Sequence, residues 1–467
     1  MVAGNRFPCF LRFPTFPRFQ VFLFGELRHE MGLTRSRFLA ALGAGGAALA
    51  LNGCAESPAP LDVTGPALAR DPRGTLRLWI RGGLLATGQR LVDSFHAAQD
   101  RIRIELTPVQ DGQYVTKLAT AIRGGREPDL VEMDDINSAL FIHRGVFADL
   151  TPLINELPFR EQLSPGHLAV GKRDGRYYAV PSLADNSALW CNRALLDRAK
   201  VDIDDATGSF EGCLEAARAV SALGRDTYGW YLSGNGAGAL SFTVQPHIWA
   251  ADTELVTGSV GSQRGNIEGN EPLRRTLAFL HTLWSERLMP RGAFSDDGIR
   301  WATDFHAGKV AMLPSGYGIV YPKAPRALRD DLDVRLLCGP DGGRAFFDGG
   351  SNYSLPNGSR NPSAAWEFIR FSLALKQQRA LPETGYIPVR ADAASPGFRA
   401  KYPLAVPPLD DMDAGHAPLT LAYNRIFNQS DGPWLAMIRR AVFGGEVGAA
   451  MREAQQGIDE ILRQGDA

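Results

Sequence analysis

Asp134 and Asp135 close the run Pro128-Asp-Leu-Val-Glu-Met-Asp-Asp135. Open α/β sheets bind ligands at the carboxyl ends of their strands, so Asp134, at the end of this apolar stretch, is expected to face a cleft. Two carboxylate oxygens there suit a vicinal diol. The competing role is a helix N-cap for the segment that follows. Paired carboxylates can also cleave a glycosidic bond, but that needs them about 5–10 Å apart across it. Asp134 and Asp135 are adjacent, and on a strand they would point to opposite faces. Pyranose faces pack on aromatic rings, and Trp79, Trp190, Trp230, Trp249, Trp301 and Tyr317 are available. A chain of this size spends most of its tryptophans in the core. No GxSxG, HExxH or P-loop is present, and no CxxC or Cys/His cluster. The sequence therefore offers no catalytic residue, no metal site and no cofactor site.

The elements that would position these residues alternate. Leu76–Ile80 reads as a strand ending at Gly82-Gly83, and Gln89–Gln99 as a helix with Leu91, Val92 and Phe95 at helical spacing. Ile102–Leu106 alternates as a strand. A helix from Tyr114 puts Tyr114, Leu118, Ala121 and Ile122 on one face, and the strand ending at Asp134 follows. This order means βαβ units and a mostly parallel sheet. Later, Pro272–Leu288, Ser363–Leu375 and Val447–Leu462 read as amphipathic helices, and Val310–Leu313 and Val334–Leu337 as strands. Ser363 is the expected N-cap of the second of these helices.

The 467-residue chain is 45% apolar and 22% charged, with a formal charge of −1. Its length suits two domains or one bilobed body. No basic block exists to neutralise phosphates, so no nucleic-acid partner is expected. In the first 30 residues Phe7, Phe10, Phe13, Phe16, Phe19 and Phe22 recur every third position between prolines. That pattern forms no core, and the segment reads as an upstream extension with Met31 as the true start. Arg35 and Arg37 then precede an apolar run, Phe38–Leu51, which is shorter than the about 20 residues that span a bilayer. It has the length of a secretory signal. Leu51-Asn52-Gly53-Cys54 resembles the bacterial lipobox, which makes Cys54 the expected lipid attachment point and the residues after it a tether. Without residues 1–53, which carry six arginines and two glutamates, 44 basic and 49 acidic residues remain. Cys191, Cys213 and Cys338 allow at most one disulfide, and the expectation is three small buried hydrophobes.

Several blocks in order resemble bacterial extracellular solute-binding proteins of the maltose-binding type. They are Arg126-Glu-Pro-Asp-Leu-Val, Gly145-Val-Phe-Ala-Asp-Leu-Thr-Pro152, Asp174-Gly-Arg-Tyr-Tyr-Ala-Val-Pro181 with Leu189-Trp-Cys-Asn-Arg193, and Phe305-His-Ala-Gly-Lys-Val-Ala-Met312. Gly349-Gly350, Ala364–Phe371 and Gly385-Tyr-Ile-Pro-Val-Arg390 complete the series. The resemblance implies a two-lobed α/β fold, each lobe a mostly parallel sheet flanked by helices, with the ligand in the interlobe cleft. It places lobe one at 74–184 and 333–382 and lobe two at 185–332 and 383–467, after an extension and signal peptide (1–53) and a tether (54–73). It implies that Asp134 and Asp185 accept hydrogen bonds from sugar hydroxyls, although Asp185 also fits a hinge-stabilising role. Trp249 and Tyr317 lie nearest the family's aromatic positions. Gly349 and Gly350 would offer backbone groups at close approach, and Arg390 matches a ligand-contacting arginine, with a salt bridge as its alternative. The family often has tryptophan after the glycine pair, where Ser351 stands here.

The function so implied is an exported lipoprotein, monomeric, held at the outer face of the cytoplasmic membrane or in the periplasm. It would capture a sugar or oligosaccharide and deliver it to the permease subunits of an ABC importer. A variant cargo is a sugar-phosphate or glycerol-phosphate ester met by Arg390 and Arg81. A secreted carbohydrate-active enzyme would need Asp134 and Asp185 to approach in a closed cleft.

Overall fold

The computed structural model describes residues 60–64 and 68–465; Cys54, Met31 and the rest of the N-terminal segment lie outside the described residues. The chain opens with β1 (Gly74–Arg81), α1 (Leu85–Ala98), β2 (Ile102–Val109), α2 (Tyr114–Arg123), β3 (Leu130–Asp134) and α3 (Asp135–His143). Both helices between strands form where the apolar spacing predicted them. The inner face of α1 buries Leu91, Val92 and Phe95, and that of α2 buries Tyr114 and Leu118. Parallel pairing needs crossovers of this kind, and β1 pairs parallel with both β2 and β3.

A short helix α4 (Pro165–Val170) follows, then β4 (Val180–Ala184) and β5 (Ser187–Asn192). The chain continues through β6 (Tyr228–Trp230), α5 (Ala237–Trp249), α6 (Glu271–Ser285), β7 (Val310–Gly316), β8 (Leu332–Arg335), β9 (Leu337–Cys338), β10 (Arg344–Phe347) and β11 (Gly350–Ser354). It ends with α7 (Pro362–Ser372), β12 (Gly415–His416) and α8 (Val447–Gly465). The first sheet has the order β2-β1-β3-β11-β4. The second runs β9-β10-β5-β7-β6, with β8 added on β5 and β12 on β10. Its parallel pairs are β7–β6 and β10–β12; the others are antiparallel. The connections among β8, β9 and β10 are too short for a crossover, so only antiparallel pairing is open to them.

Two sheets, with apolar clusters packed against them, make the two-lobed α/β architecture. Leu76, Leu78, Phe95, Leu130 and Phe368 pack on the first sheet. Trp230, Leu240, Leu277, Phe279 and Trp434 pack on the second. Cys191, Cys213 and Cys338 are free thiols buried in the second core, with the sulfurs of the last two 3.8 Å apart.

Two local expectations are corrected. Strands β8, β9 and β10 pair in the second sheet, so residues 333–347 do not rejoin the first sheet; the chain returns between Phe347 and Gly350. The family-derived boundary at 333 fell short because β8 starts a run that stays beside β5. The N-cap of α7 is Asn361, which accepts from the Ala364 amide, not Ser363. Pro362 takes the first helical position, which moves the cap two residues earlier. The Ser363 hydroxyl instead accepts from the Ala69 amide at 2.9 Å and ties the N-terminal segment down.

Candidate functional site

Three crossings between the sheets run side by side. Asp185 and Asn186 join β4 to β5, Asp348 and Gly349 join β10 to β11, and a third segment passes at Ile387. The Asp185 amide donates to the Gly349 carbonyl at 2.7 Å, and Ala184 and Ile387 exchange bonds of 2.9 and 2.8 Å. A cavity of about 140 Å³ opens beside them, lined by Arg81, Asp134, Asp135, Asp185, Gly349 and Gly350, with Phe242, Trp301 and Phe347 as aromatic wall. This is below the about 300–1,000 Å³ of ordinary small-molecule pockets, the size of a cleft drawn nearly shut or of a small solute's seat.

The end of β3 supplies two carboxylates rather than one. The strand stops at Asp134 and α3 starts at Asp135, so the alternation expected of a strand breaks there and both residues line the cavity. Asp134 occupies the N-cap position without a side-chain cap bond. Its Oδ2 accepts instead from Arg81 Nη1 at 3.0 Å. Arg81 ends β1, the neighbouring parallel strand, so the same strand-end geometry aims it at the same place. Its Nη2 donates to the Gly350 carbonyl at 3.3 Å and to the Ser351 hydroxyl. Ser351 is fully buried, which explains the small residue where relatives often carry tryptophan.

Behind this first layer lies a second, also charged. Glu132 and Asp135 are almost fully buried, as are His167 and Asp348. His167 Nε2 stands 3.5 Å from Asp348 and 3.8 Å from Asp135, and the Ser164 hydroxyl donates to Asp348. Oxygens of Asp135, Asp185 and Glu132 have no hydrogen-bond partner. Burial pushes the carboxyls of Glu132 and Asp185 up to about 6, with Arg81 pulling back. Burial also raises Asp134, Asp135 and Asp348. For His167 burial acts downward, but Asp348 and Asp135 outweigh it and the imidazole ends raised.

These shifts set how stability depends on pH. A carboxyl whose folded pKa is raised holds its proton better folded than unfolded, so stability falls as pH climbs from about 4 through the folded value. A raised His167 acts the same way: its contribution is complete below about 6.5 and fades as pH passes the folded value. Asp129 is opposite. Burial would raise it, but Arg77 holds it low, so its contribution disappears only in acid, below about 4. The ligand-free protein is therefore expected to melt highest near pH 5 and progressively lower toward pH 8. Glu132→Gln removes a carboxyl that burial pushes up to about 6, which raises stability at pH 8 and flattens the slope. Melting curves at pH 5, 6, 7 and 8 check this; a melting temperature rising toward pH 8 would contradict it.

The structure thus gathers Asp134, Asp185, Gly349 and Gly350 at one cavity and leaves three expected residues away from it. Trp249 ends the buried helix α5, is 2% exposed, donates to Glu254 at 2.8 Å and stacks on His416. Tyr317 begins a helical turn straight after β7, which swings its ring into the core against Trp190 and leaves Gly316 facing the cavity. Arg390 closes on Asp392 two residues later, donates to the Leu373 carbonyl and lies 3.7 Å over the Phe159 ring. Its salt bridge is local, not between lobes. Trp301 is among the candidate aromatics, Asp135 is expected on the face opposite Asp134 but lines the same cavity, and Phe242 and Phe347 are additions. The strand-end rule that found Asp134 also fits Arg81 at the end of β1. Phe242 and Phe347 carry no local signal, because only tertiary packing brings them to the cavity.

Among the described residues no cluster has the make-up of a metal site, and no helix is long and apolar enough to cross a membrane. The profile of a bacterial extracellular solute-binding protein family matches residues 90–407. No curated protein matches the sequence. Among solved structures, the sugar-binding protein MalE from Xanthomonas citri superposes with a TM-score of 0.75 at 21% identity, covering 84% of this chain and 98% of that one. The GacH receptor of Streptomyces glaucescens, solved with acarbose, gives 0.68 at 22%, covering 84% and 99%. UgpB from Mycobacterium tuberculosis, in complex with glycerophosphocholine, gives 0.67 at 21%, covering 84% and 100%.

Proposed function

The chain belongs to the bacterial extracellular solute-binding proteins, and from that premise we propose that it captures a sugar or oligosaccharide for an ABC importer. One observation carries the choice of cargo: at the crossings between the lobes, carboxylate oxygens without partners share a cavity with Trp301 and Phe242. Sugar hydroxyls supply the missing donors, and the rings suit pyranose faces. The fold neighbour from Xanthomonas citri is itself described as sugar-binding. A phosphate ester is less well served. Arg81 is already held by Asp134, Gly350 and Ser351, and Arg390 is closed on Asp392. The role is binding without turnover, with Asp134 and Asp185 as ligand acceptors and Gly349 and Gly350 shaping the wall.

Two lobes on three crossings would close on the solute. The proposed division is 74–184 with 350–382 against 185–347, with the later segments distributed over both. Calorimetric titration with a panel of mono- and disaccharides finds the ligand, and small-angle scattering with and without it tests the motion. The radius of gyration is expected to fall on saturation. Binding with an unchanged profile would rule out closure, and hydrolysis of the sugar would rule out a pure binding role.

Cys54 is proposed as the lipid anchor, which leaves the folded body a monomer tethered outside the cytoplasmic membrane and available to permease subunits. Cys54→Ser is expected to move the protein from the membrane pellet to the soluble fraction with its melting temperature unchanged. A serine variant that still pellets after a high-salt wash would remove the anchor.

A further inference from the structure

The charges around the cavity do not balance. Glu132, Asp134, Asp135, Asp185 and Asp348 stand against Arg81 and His167, so fully ionised acids outnumber bases by three. The bases are engaged in part, with Arg81 Nε and both His167 ring nitrogens lacking a hydrogen-bond partner. Arg81 gives its fork to Asp134, Gly350 and Ser351, and His167 lies between Asp135 and Asp348. Asp135, 1% exposed, has an Oδ2 without a hydrogen-bond donor, 3.8 Å from His167 Nε2, and Asp185 has an Oδ1 without one; both residues line the cavity.

A buried acceptor left without a donor is costly, and an unpaired buried charge costs more. A neutral hydroxyl would satisfy the first deficit but not the second. A phosphate or carboxylate would add to the excess of negative charge, since Arg81, the cation among the described residues that line the cavity, is already paired with Asp134. An ammonium group answers both at once: it has three donors, no acceptor and a positive charge, and its hydrogen bonds to carboxylate are about twice as strong as neutral ones. Taking the cavity as the solute site and the solute as a sugar, we propose that the solute bears a protonated amine, an amino sugar or an aminocyclitol, whose ammonium is held by the carboxylates of Asp135 and Asp185. Aromatic walls at Trp301, Phe242 and Phe347 would cover the ring face while the acids take the amine.

Matched probes test this at pH 7.5 by isothermal titration: glucosamine, N-acetylglucosamine, glucose and glucose 6-phosphate, the galacto and manno equivalents, and the glucosamine dimer beside cellobiose. At least one amine is expected to bind about tenfold or more tighter than its hydroxyl and N-acetyl counterparts, and the 6-phosphates not to bind. In Asp185→Asn, which keeps the shape and removes the charge, that preference should shrink to about threefold or less. The variant should fold at least as well as wild type, which its melting temperature verifies. A neutral sugar bound as tightly as its amine overturns the amine but leaves the sugar reading standing. A preference that survives Asp185→Asn overturns the assignment of the carboxylates. If none of the probes binds, whatever its charge, both the amine and the sugar reading fall.

Discussion

Arg81→Ala melts well below wild type at pH 7.5 and loses its solute. Among the described residues the guanidinium is the one cation that pairs with Asp134, with an N–O distance of 3.0 Å, and it also binds the Gly350 carbonyl and the Ser351 hydroxyl. Both members of the pair are mostly buried, at 18% and 27% side-chain exposure. Removing one partner of a buried pair costs about 3–5 kcal/mol, because the other charge is left without compensation. Glu132, also drawn down by Arg81, loses its nearest cation in the same step. The penalty should shrink at pH 5, where Asp134 and Glu132 can take up protons instead. Urea unfolding at both pH values measures it. A loss below about 1 kcal/mol at pH 7.5 would show that the pair is no support of the fold.

Gly350→Ala is the second large effect, and it acts through shape. A Cβ there would sit 2.3 Å from the Leu183 carbonyl oxygen, 2.7 Å from His167 Cε1 and 2.9 Å from the Ala184 Cα. Two of these neighbours are backbone at the end of β4, just before the first crossing, so no side chain can turn aside. Overpacking of this kind costs about 1–3 kcal/mol or more, and relief requires the first and second crossings to part. The Asp185 amide would then lose Gly349, and Asp185 itself would shift from the cavity. Affinity is expected to fall at least tenfold while the protein stays folded, a larger loss than the stability change alone gives, since binding geometry tolerates little displacement. Titration of the variant with the ligand found for wild type decides; unchanged affinity would mean that the crossings are not a rigid unit.

Much of the first lobe was legible because its signals are local. Leu91, Val92 and Phe95 lie one helical turn apart, and α1 buries those three. The strand-end position of Asp134 brought it to the cavity. Where long-range packing decides, local patterns failed. Nothing near Trp249 announces that Glu254 and His416 will occupy its indole. Nothing near Arg390 says whether Asp392 or a distant group will claim it, since a cation takes the nearest carboxylate that needs no desolvation of its own. The break at Asp134, where strand becomes helix within one residue, moved Asp135 from the expected far face to the cavity. A pattern of alternation cannot show where alternation stops.

The position of β11 has a consequence for how the chain comes to be folded. It lies between β3 and β4, pairing Ser351 with Asp134 on one side and Gly350 with Ala184 on the other. The first sheet is therefore split in two until residues 350–354 arrive, long after its other strands have been made. Contacts of such sequence separation slow folding, because the loop between them must be closed first. While β11 is missing, β3 and β4 each present an open edge and cannot settle into a finished lobe. A nascent chain bound for the outside of the cell must be threaded unfolded if it leaves through a narrow channel. A topology that withholds an internal strand of its first sheet is expected to delay folding until residues 350–354 are available.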